Sequence, residues 1–290
     1  MNRLTDPGEI RRLLDTYGFH FSKSMGQNFL INASVPERIA ESAEADRDCA
    51  VLEIGPGIGC LTSELSERAG KVLSVELDRS LKPLLGETLS GCDNTEVLFA
   101  DVMKLDLEEL VREKLTLPVK LVCANLPYNI TTPLLTELIR TEQFERICVM
   151  IQKEVAERIC ARPGKKDFGA FSLFVQWYYE PELLFSVSPH CFMPQPKVTS
   201  AVIRLRKRSE LPAEVRDTEL MFRIIRAAFN QRRKTLVNAL SAALPQISKA
   251  DCERILKLCD LDTNIRGEKL NLGDFARISN EIGNLDHVKL

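Results

Sequence analysis

Four consecutive residues, Asn125-Leu126-Pro127-Tyr128, are of the types needed to activate an aromatic amine. The lone pair of such an amine is delocalised into its ring, which makes the nitrogen a poor nucleophile. Two carbonyl oxygens accepting its hydrogens pull the nitrogen towards sp³ and aim the lone pair at an electrophile. Asn125 Oδ1 can supply one acceptor and the Leu126 main-chain carbonyl the other. Pro127 stiffens the turn and has no N–H to compete. Tyr128 offers a face on which an extruded base can stack, a contact contributing ~1–3 kcal/mol per base. The same four residues also suit a plain strand-to-turn corner with Asn capping the turn, so their setting has to decide.

The setting includes Val51–Thr62, VLEIGPGIGCLT, which reads as a buried strand, a glycine turn and a helix start. Gly55, Gly57 and Gly59 let the chain turn sharply and let a ligand approach the backbone. A nicotinamide fingerprint, G-x-G-x-x-G/A, would place its third small residue at Cys60, an imperfect match. The spacing E-x-G-x-G-x-G from Glu53 is the one found in methyltransferases that use S-adenosylmethionine. A second strand, Val72–Val75, ends in Glu76, 21 residues after Gly55, where a carboxylate can accept hydrogen bonds from a ribose diol. A third, Val97–Phe99, ends in Ala100-Asp101, whose carboxylate can meet an adenine amino group. The fourth, Val119–Cys123, leads into Asn125. Polar residues at four strand ends would line one edge of a sheet, the expected rim of an active site.

These strands need a scaffold, and the chain has room for one. Its 290 residues suit one large domain with a small one, and 44% hydrophobic residues suit an ordinary globular core. No apolar run approaches the ~20 residues of a membrane span, and the first residues have no apolar signal region. Nine cysteines are scattered with no C-x-x-C pair, which suggests a reducing cytoplasm. Three histidines, His20, His190 and His287, lie far apart and suggest neither a zinc site nor a His-based triad; no metal is expected.

The predicted order is α/β, a doubly wound parallel sheet with helices on both faces. A capped helix starts at Asp6-Pro7-Gly8-Glu9 and a second spans 34–45. Strands are expected at 50–54, 72–75, 97–99, 119–123 and 147–151. The segments 173–179, 183–187 and 200–205 read as a hairpin-type addition to the sheet. After Arg206 the apolar period becomes helical: Met221, Ile224, Ile225, Ala228 and Phe229 share one face. Residues 1–206, with a helical extension over 1–45, are therefore assigned to a catalytic domain. Residues 207–290 are assigned to a small all-helical domain.

Charge is uneven. The net charge is −2, yet from Arg204 to Lys234 ten Lys/Arg face four acids, a local excess of six that fits a polyanion-facing surface. Arg232, Arg233 and Lys234 are expected to head a helix of the small domain, and as consecutive cations they cannot all face a core, so RNA contact is expected there. Arg162, Lys165 and Lys166, in RPGKK, read either as a phosphate contact or as a solvated loop. Phe192, in FMPQP, reads either as a second aromatic wall for a target base or as a core residue before a Pro-rich turn.

Taken together, the motifs resemble the KsgA/Erm family of S-adenosylmethionine-dependent rRNA adenine N(6)-methyltransferases. The matching pieces are GQNFL (26–30), EIGPGIGCLT (53–62), VELD (75–78), NLPYNITTPLL (125–135), QKEVAERICARPGKKDFGAFS (152–172), FMPQPKVTSAVIRL (192–205) and FNQRRKTLVNAL (229–240). They extend over essentially the whole chain and favour the KsgA branch, which acts on the small-subunit rRNA, over the Erm branch, which acts on 23S rRNA. The resemblance implies a Rossmann-like class I methyltransferase sheet. It also implies that Asn28, Leu30, Gly55, Gly57, Glu76, Asp101 and Asn125 bind the cofactor; for Asn28 and Leu30 it is the sole indication. The reaction it implies is dimethylation of two adjacent adenosines near the 3′ end of 16S rRNA within the immature small ribosomal subunit, by a cytoplasmic monomer. A rival of another class is a ribosome-assembly factor whose catalysis is dispensable.

Overall fold

A computed structural model describes residues 3–19 and 27–285. Gly26, His20 and His287 lie outside them. The chain divides into two compact units. Met1–Ala156 with Pro181–Lys207 forms the first, and Glu157–Glu180 with Arg208–Leu290 the second. One crossing falls between Lys207 and Arg208, one residue after the expected boundary, and residues 157–180, expected in the catalytic domain, belong to the second unit.

In chain order the elements of the first unit begin with α1 (Pro7–Thr16), β1 (Phe29–Leu30), α2 (Ser34–Ser42), β2 (Cys49–Ile54), α3 (Cys60–Arg68), β3 (Lys71–Glu76) and α4 (Lys82–Thr88). They continue with β4 (Thr95–Phe99), α5 (Leu107–Lys114), β5 (Val119–Asn125), α6 (Thr131–Arg140), β6 (Arg146–Gln152) and the first half of α7 (Lys153–Cys160), whose residues from Glu157 belong to the second unit. After α8 (Ala170–Tyr178) come β7 (Tyr179–Val187), β8 (Phe192–Met193) and β9 (Ser200–Lys207). As expected, Asp6 caps α1, its side chain accepting from Glu9 N, with Pro7 in the first turn.

Seven strands make one sheet in the order β4-β3-β2-β5-β6-β9-β7. The pairs among β4, β3, β2, β5 and β6 are parallel; β9 runs antiparallel to β6. Strand order reverses between β2 and β5, and at such a switch point the loops leaving adjacent strands diverge and open a crevice. Every residue of β2 is buried, as a parallel strand covered on both faces requires. Val51, Leu121, Cys123 and Met150 pack with Ile39, Leu61 and Leu65 of α2 and α3. Side chains such as these contribute ~1.5–3 kcal/mol each on burial, so the sheet holds the strand ends that carry the site. A second, two-stranded ribbon joins β1 to β8, pairing Leu30 with Phe192 and Phe29 with Met193.

The second unit contains α8 and, after Lys207, α9 (Thr218–Asn230), α10 (Leu236–Ala243), α11 (Lys249–Leu258) and α12 (Leu272–Gly283). The predicted apolar face of α9 is buried: Met221, Ile224, Ile225 and Ala228. The Ser248 cap of α11 is present, accepting from Asp251 N.

The segment 173–179, expected to be a strand, is mostly the helix α8. Apart from Gln176 the run is apolar throughout, so alternation could not discriminate. The helical period lies in its aromatic residues. Phe174, Trp177 and Tyr178 surround Phe222 of α9, with ring centroids 5.7, 6.3 and 6.3 Å away. Such aromatic pairs add to the area they bury.

Candidate functional site

A cavity of about 310 Å³ opens at the carboxyl ends of β2, β3, β4 and β5. It is lined by Asn28, Leu30, Gly55, Gly57, Glu76, Asp101 and Asn125, and also by Leu126, Pro127, Tyr128 and Phe192. Residues predicted separately, from six stretches of sequence, therefore share one concave surface of a size suited to a small-molecule ligand.

One wall is the turn between β2 and α3. Gly55 and Gly57 have φ of +70° and +59°, a region that residues with a Cβ seldom adopt. At Gly57 there is a second constraint: an added Cβ would lie 3.2 Å from the Phe29 ring. The turn and β1 are thus in close contact, which brings the 27–30 segment over the strand ends. Gln27 Nε2 donates to Asp78 Oδ2 at 2.8 Å, tying the same segment to the loop after β3.

Carboxylates sit at three strand ends. Glu53 is 1% exposed. Its Oε2 accepts from Thr62 Oγ1 at 2.7 Å and from Ser74 Oγ at 2.6 Å. Burial pushes its pKa up to about 7, against the pull of those two hydroxyls. Glu76 is also buried and raised, chiefly by desolvation, and accepts from Asp78 N at 2.8 Å. Asp101 accepts from Met103 N at 3.1 Å through Oδ1, and Lys104 Nζ lies 3.5 Å from Oδ2. Cys60, at the start of α3, also lines the cavity, and burial pushes its thiol up to about 12. A thiol held protonated is a weak nucleophile, which suits a site holding an electrophile.

The other wall is the corner after β5. Leu126 N donates to Met150 O at 3.1 Å, extending the β5–β6 ladder past Asn125. The Pro127 carbonyl accepts from Ile130 N and Thr131 Oγ1, which fixes the start of α6. Among the described residues, no hydrogen bond is made to the Asn125 carboxamide or to the Leu126 carbonyl. Two acceptors are thus left without a protein donor at the cavity, where two polar groups would be expected to find partners. Tyr128 and Ser200 hydroxyls meet at 2.5 Å, anchoring the ring through β9. Ser200 was not anticipated as a site residue; it lies within the FMPQPKVTSAVIRL block, where only Phe192 had been singled out.

Phe192 combines both of its readings. It is 3% exposed and packs in the core with Leu30 and Val35, yet it also lines the cavity. The β1–β8 ribbon brings it there. No sequence pattern announced that ribbon, since two-residue strands carry no period.

The basic residues belong to the second unit. Arg162, Lys165 and Lys166 are exposed. Arg232, Arg233 and Lys234 do not head a helix as expected: they occupy the turn before α10, whose cap is Thr235. Arg233 and Lys234 are exposed, while Arg232 is paired with Glu268 at 2.6 Å.

Among the described residues, no group of three His, Cys, Asp or Glu side chains is arranged to hold a metal ion. The nine cysteines form no disulfide. No described helix is long and apolar enough to cross a membrane.

Comparison with known proteins gives consistent answers. The Ribosomal RNA adenine dimethylase family profile matches residues 18–283. Ribosomal RNA small subunit methyltransferase A of Alkaliphilus metalliredigens is 44% identical over 284 residues, covering 97% of this chain and 99% of that protein. The protein of the same name from Lachnoclostridium phytofermentans is 46% identical over 287 residues, covering 97% and 98%. Among solved structures, the 23S rRNA methyltransferase ErmE is 29% identical with a TM-score of 0.67, over 88% of this chain and all of that one (100%). A dimethyladenosine transferase from Plasmodium falciparum, 24% identical over 88% of this chain and 97% of that one, shares the fold with a TM-score of 0.73.

Proposed function

This chain belongs to the ribosomal RNA adenine dimethylase family, and from that membership we propose that it dimethylates the N(6) amines of two adjacent adenosines near the 3′ end of 16S rRNA. S-adenosylmethionine is the methyl donor of this class of enzyme. The residues fit that donor. Glu76 would accept from its ribose diol and Asp101 from its adenine amine, and Gly55 and Gly57 leave the backbone open beside it. When bound, the donor supplies an electrophilic methyl group.

The observation that carries the proposal is the pair of unbonded acceptors at Asn125 and Leu126. Accepting both N(6) hydrogens, they would strip the amine of its conjugation and hold its lone pair on one line. Tyr128 would stack on the extruded base, its ring held by Ser200. Phe192, being largely buried, would offer the base an edge rather than a full face. No strong general base is required, because transfer from a sulfonium is favourable and the N(6) proton leaves from a cationic product.

The substrate is an assembled, immature small subunit, bound by a monomer in the cytoplasm. With a net charge of −2, the chain gains little affinity from phosphates in general. Selectivity then rests on matching a folded surface. Arg162, Lys165, Lys166, Arg233 and Lys234 would supply local phosphate contacts, beside an Arg232 that is paired with Glu268.

The test is to map methylated nucleotides in rRNA from cells with and without the protein. Loss of two adjacent dimethyladenosines in 16S rRNA is expected; loss of a 23S modification would instead support the Erm-type reading. Methyl incorporation into protein-free 16S rRNA, immature subunits and translating subunits would then be compared at one salt concentration. Equal incorporation into free rRNA and immature particles would defeat the particle requirement.

A further inference from the structure

Three segments of the second unit, distant in sequence, meet around one acidic residue. Glu268 lies in the turn Gly267–Lys269. Its carboxylate accepts from Arg232 Nε at 2.6 Å, and its main-chain carbonyl accepts from Gly164 N at 2.7 Å. Arg232 in turn donates through Nη2 to the Lys165 carbonyl at 3.4 Å. The 162–166 loop, the 231–234 turn and the 267–269 turn are therefore closed into a ring of contacts.

The ring is braced from below. Gly267 is buried against α9, where an added Cβ would lie 2.5 Å from the Ala228 Cβ, so no larger residue fits without moving the turn. Leu236 N donates to Ile265 O at 2.8 Å, fixing the start of α10 to the same stretch. Gly164 has φ +81° and turns the loop so that its Cα faces Lys269, whose Nζ would lie 3.5 Å from an added Cβ.

We infer that these three segments form a single RNA-phosphate-binding surface, in which Glu268 and Arg232 are the internal strut and Lys269 is an additional phosphate contact. The inference rests on the rRNA-methyltransferase reading and deepens it. Six exposed cations, Arg162, Lys165, Lys166, Arg233, Lys234 and Lys269, share the surface with one exposed acid, Asp167. Arg232 is set apart from them. Its guanidinium spans a carboxylate and a carbonyl, with 38% of its side chain exposed and 22% of Glu268's. A guanidinium committed to a carboxylate in this way is geometrically fixed. Glu268 is thus a positioning residue: it gives up one unit of attraction for a polyanion and gains a fixed spacing between two cationic loops.

That trade makes a prediction whose sign is opposite to simple charge counting. Removing an acid from a basic surface ordinarily tightens RNA binding. Here Glu268→Gln should weaken it, because a neutral amide no longer holds the Arg232 guanidinium by charge and the strut between the loops loosens. The full-length protein is titrated with immature small ribosomal subunits from cells lacking it, across a series of salt concentrations. Glu268→Gln is expected to raise Kd for the particle several-fold and to raise KM for the particle correspondingly, with cofactor affinity and thermal midpoint near wild type. The exchanged pair Arg232→Glu with Glu268→Arg should recover most of the affinity. Lys269→Gln should reduce the slope of log K against log salt by about 0.7–0.9. Unchanged or tighter binding by Glu268→Gln, no recovery by the exchanged pair, or an unchanged slope for Lys269→Gln would overturn the inference. Binding is read without methyl transfer. Particles that bind with this pattern but gain no methyl groups would therefore defeat the proposed reaction and leave the surface standing; correct methylation with indifferent Glu268 variants would do the reverse.

Discussion

Replacing Glu53 by Gln should change how stability depends on pH, and the size of the change follows from burial. The Glu53 pKa rises from an ordinary 4.5 to about 7 in the native state. Between those values the unfolded chain has released the proton while the native chain still holds it. The native state then binds more protons, so stability falls as pH rises. The contribution is fully present below pH 4.5, declines through the window and is lost once pH exceeds about 7. A separation of that size corresponds to about 3 kcal/mol at roughly 1.36 kcal/mol per unit. Because both hydroxyls donate to Oε2, the proton belongs on Oε1, and a Gln carbonyl can take the place of Oε2. Glu53→Gln should therefore match wild type near pH 5 and exceed it near pH 8 by up to about 3 kcal/mol. Urea unfolding of both proteins from pH 4 to 9 measures the difference. Parallel curves for the two proteins would refute the assignment of a neutral acid beneath the cavity.

Other perturbations act on the cavity itself. Asn125→Ala should abolish methyl transfer and leave particle binding intact, since it removes an acceptor and no phosphate contact; single-turnover assays and filter binding separate the two. Glu76→Ala should weaken S-adenosylmethionine by ~1.5–3 kcal/mol, the worth of hydrogen bonds to a charged acceptor, and calorimetry showing unchanged affinity would remove Glu76 from the site. Gly57→Ala should cost ~1–2 kcal/mol for a Cβ in the left-handed region and displace Phe29, lowering cofactor affinity further; an unaltered affinity would show that the turn does not touch the cofactor.

The sheet was largely readable in the sequence because its signals are local. Strands at 50–54, 72–75, 119–123 and 147–151 are short apolar runs followed by polar or glycine residues, and each is observed within two residues of its expected ends. Glu76, Asp101 and Asn125 could be placed on one rim because parallel strands all end on one side. What stayed hidden was non-local. Phe29–Leu30 pairs with a two-residue partner from a distant stretch, and nothing in either stretch specifies the other. The union of RPGKK with Arg232 depends on Glu268, a residue without any motif of its own. The strand misread at 173–179 has a different cause: an apolar run broken only by Gln176 alternates buried and half-buried positions as a strand would, and only aromatic spacing, judged against Phe222, reveals its helical period.

The β1–β8 ribbon has a consequence in time. Its two halves are made early and late, and the cavity rim closes only when Met193 has been synthesised to pair with Phe29. At ~5–20 residues per second, the strands that carry Glu53 and Glu76 exist for on the order of ten seconds or more before their roof arrives. During that interval the nascent sheet can form its parallel core, but the donor cavity stays open on one side. Closing so long a loop costs only slowly increasing entropy, roughly 0.6 kcal/mol for each doubling of its length, so the delay is one of manufacture rather than of equilibrium. A chain of this design gains the part of the cavity wall that Phe192 supplies only when about two-thirds of it has been translated.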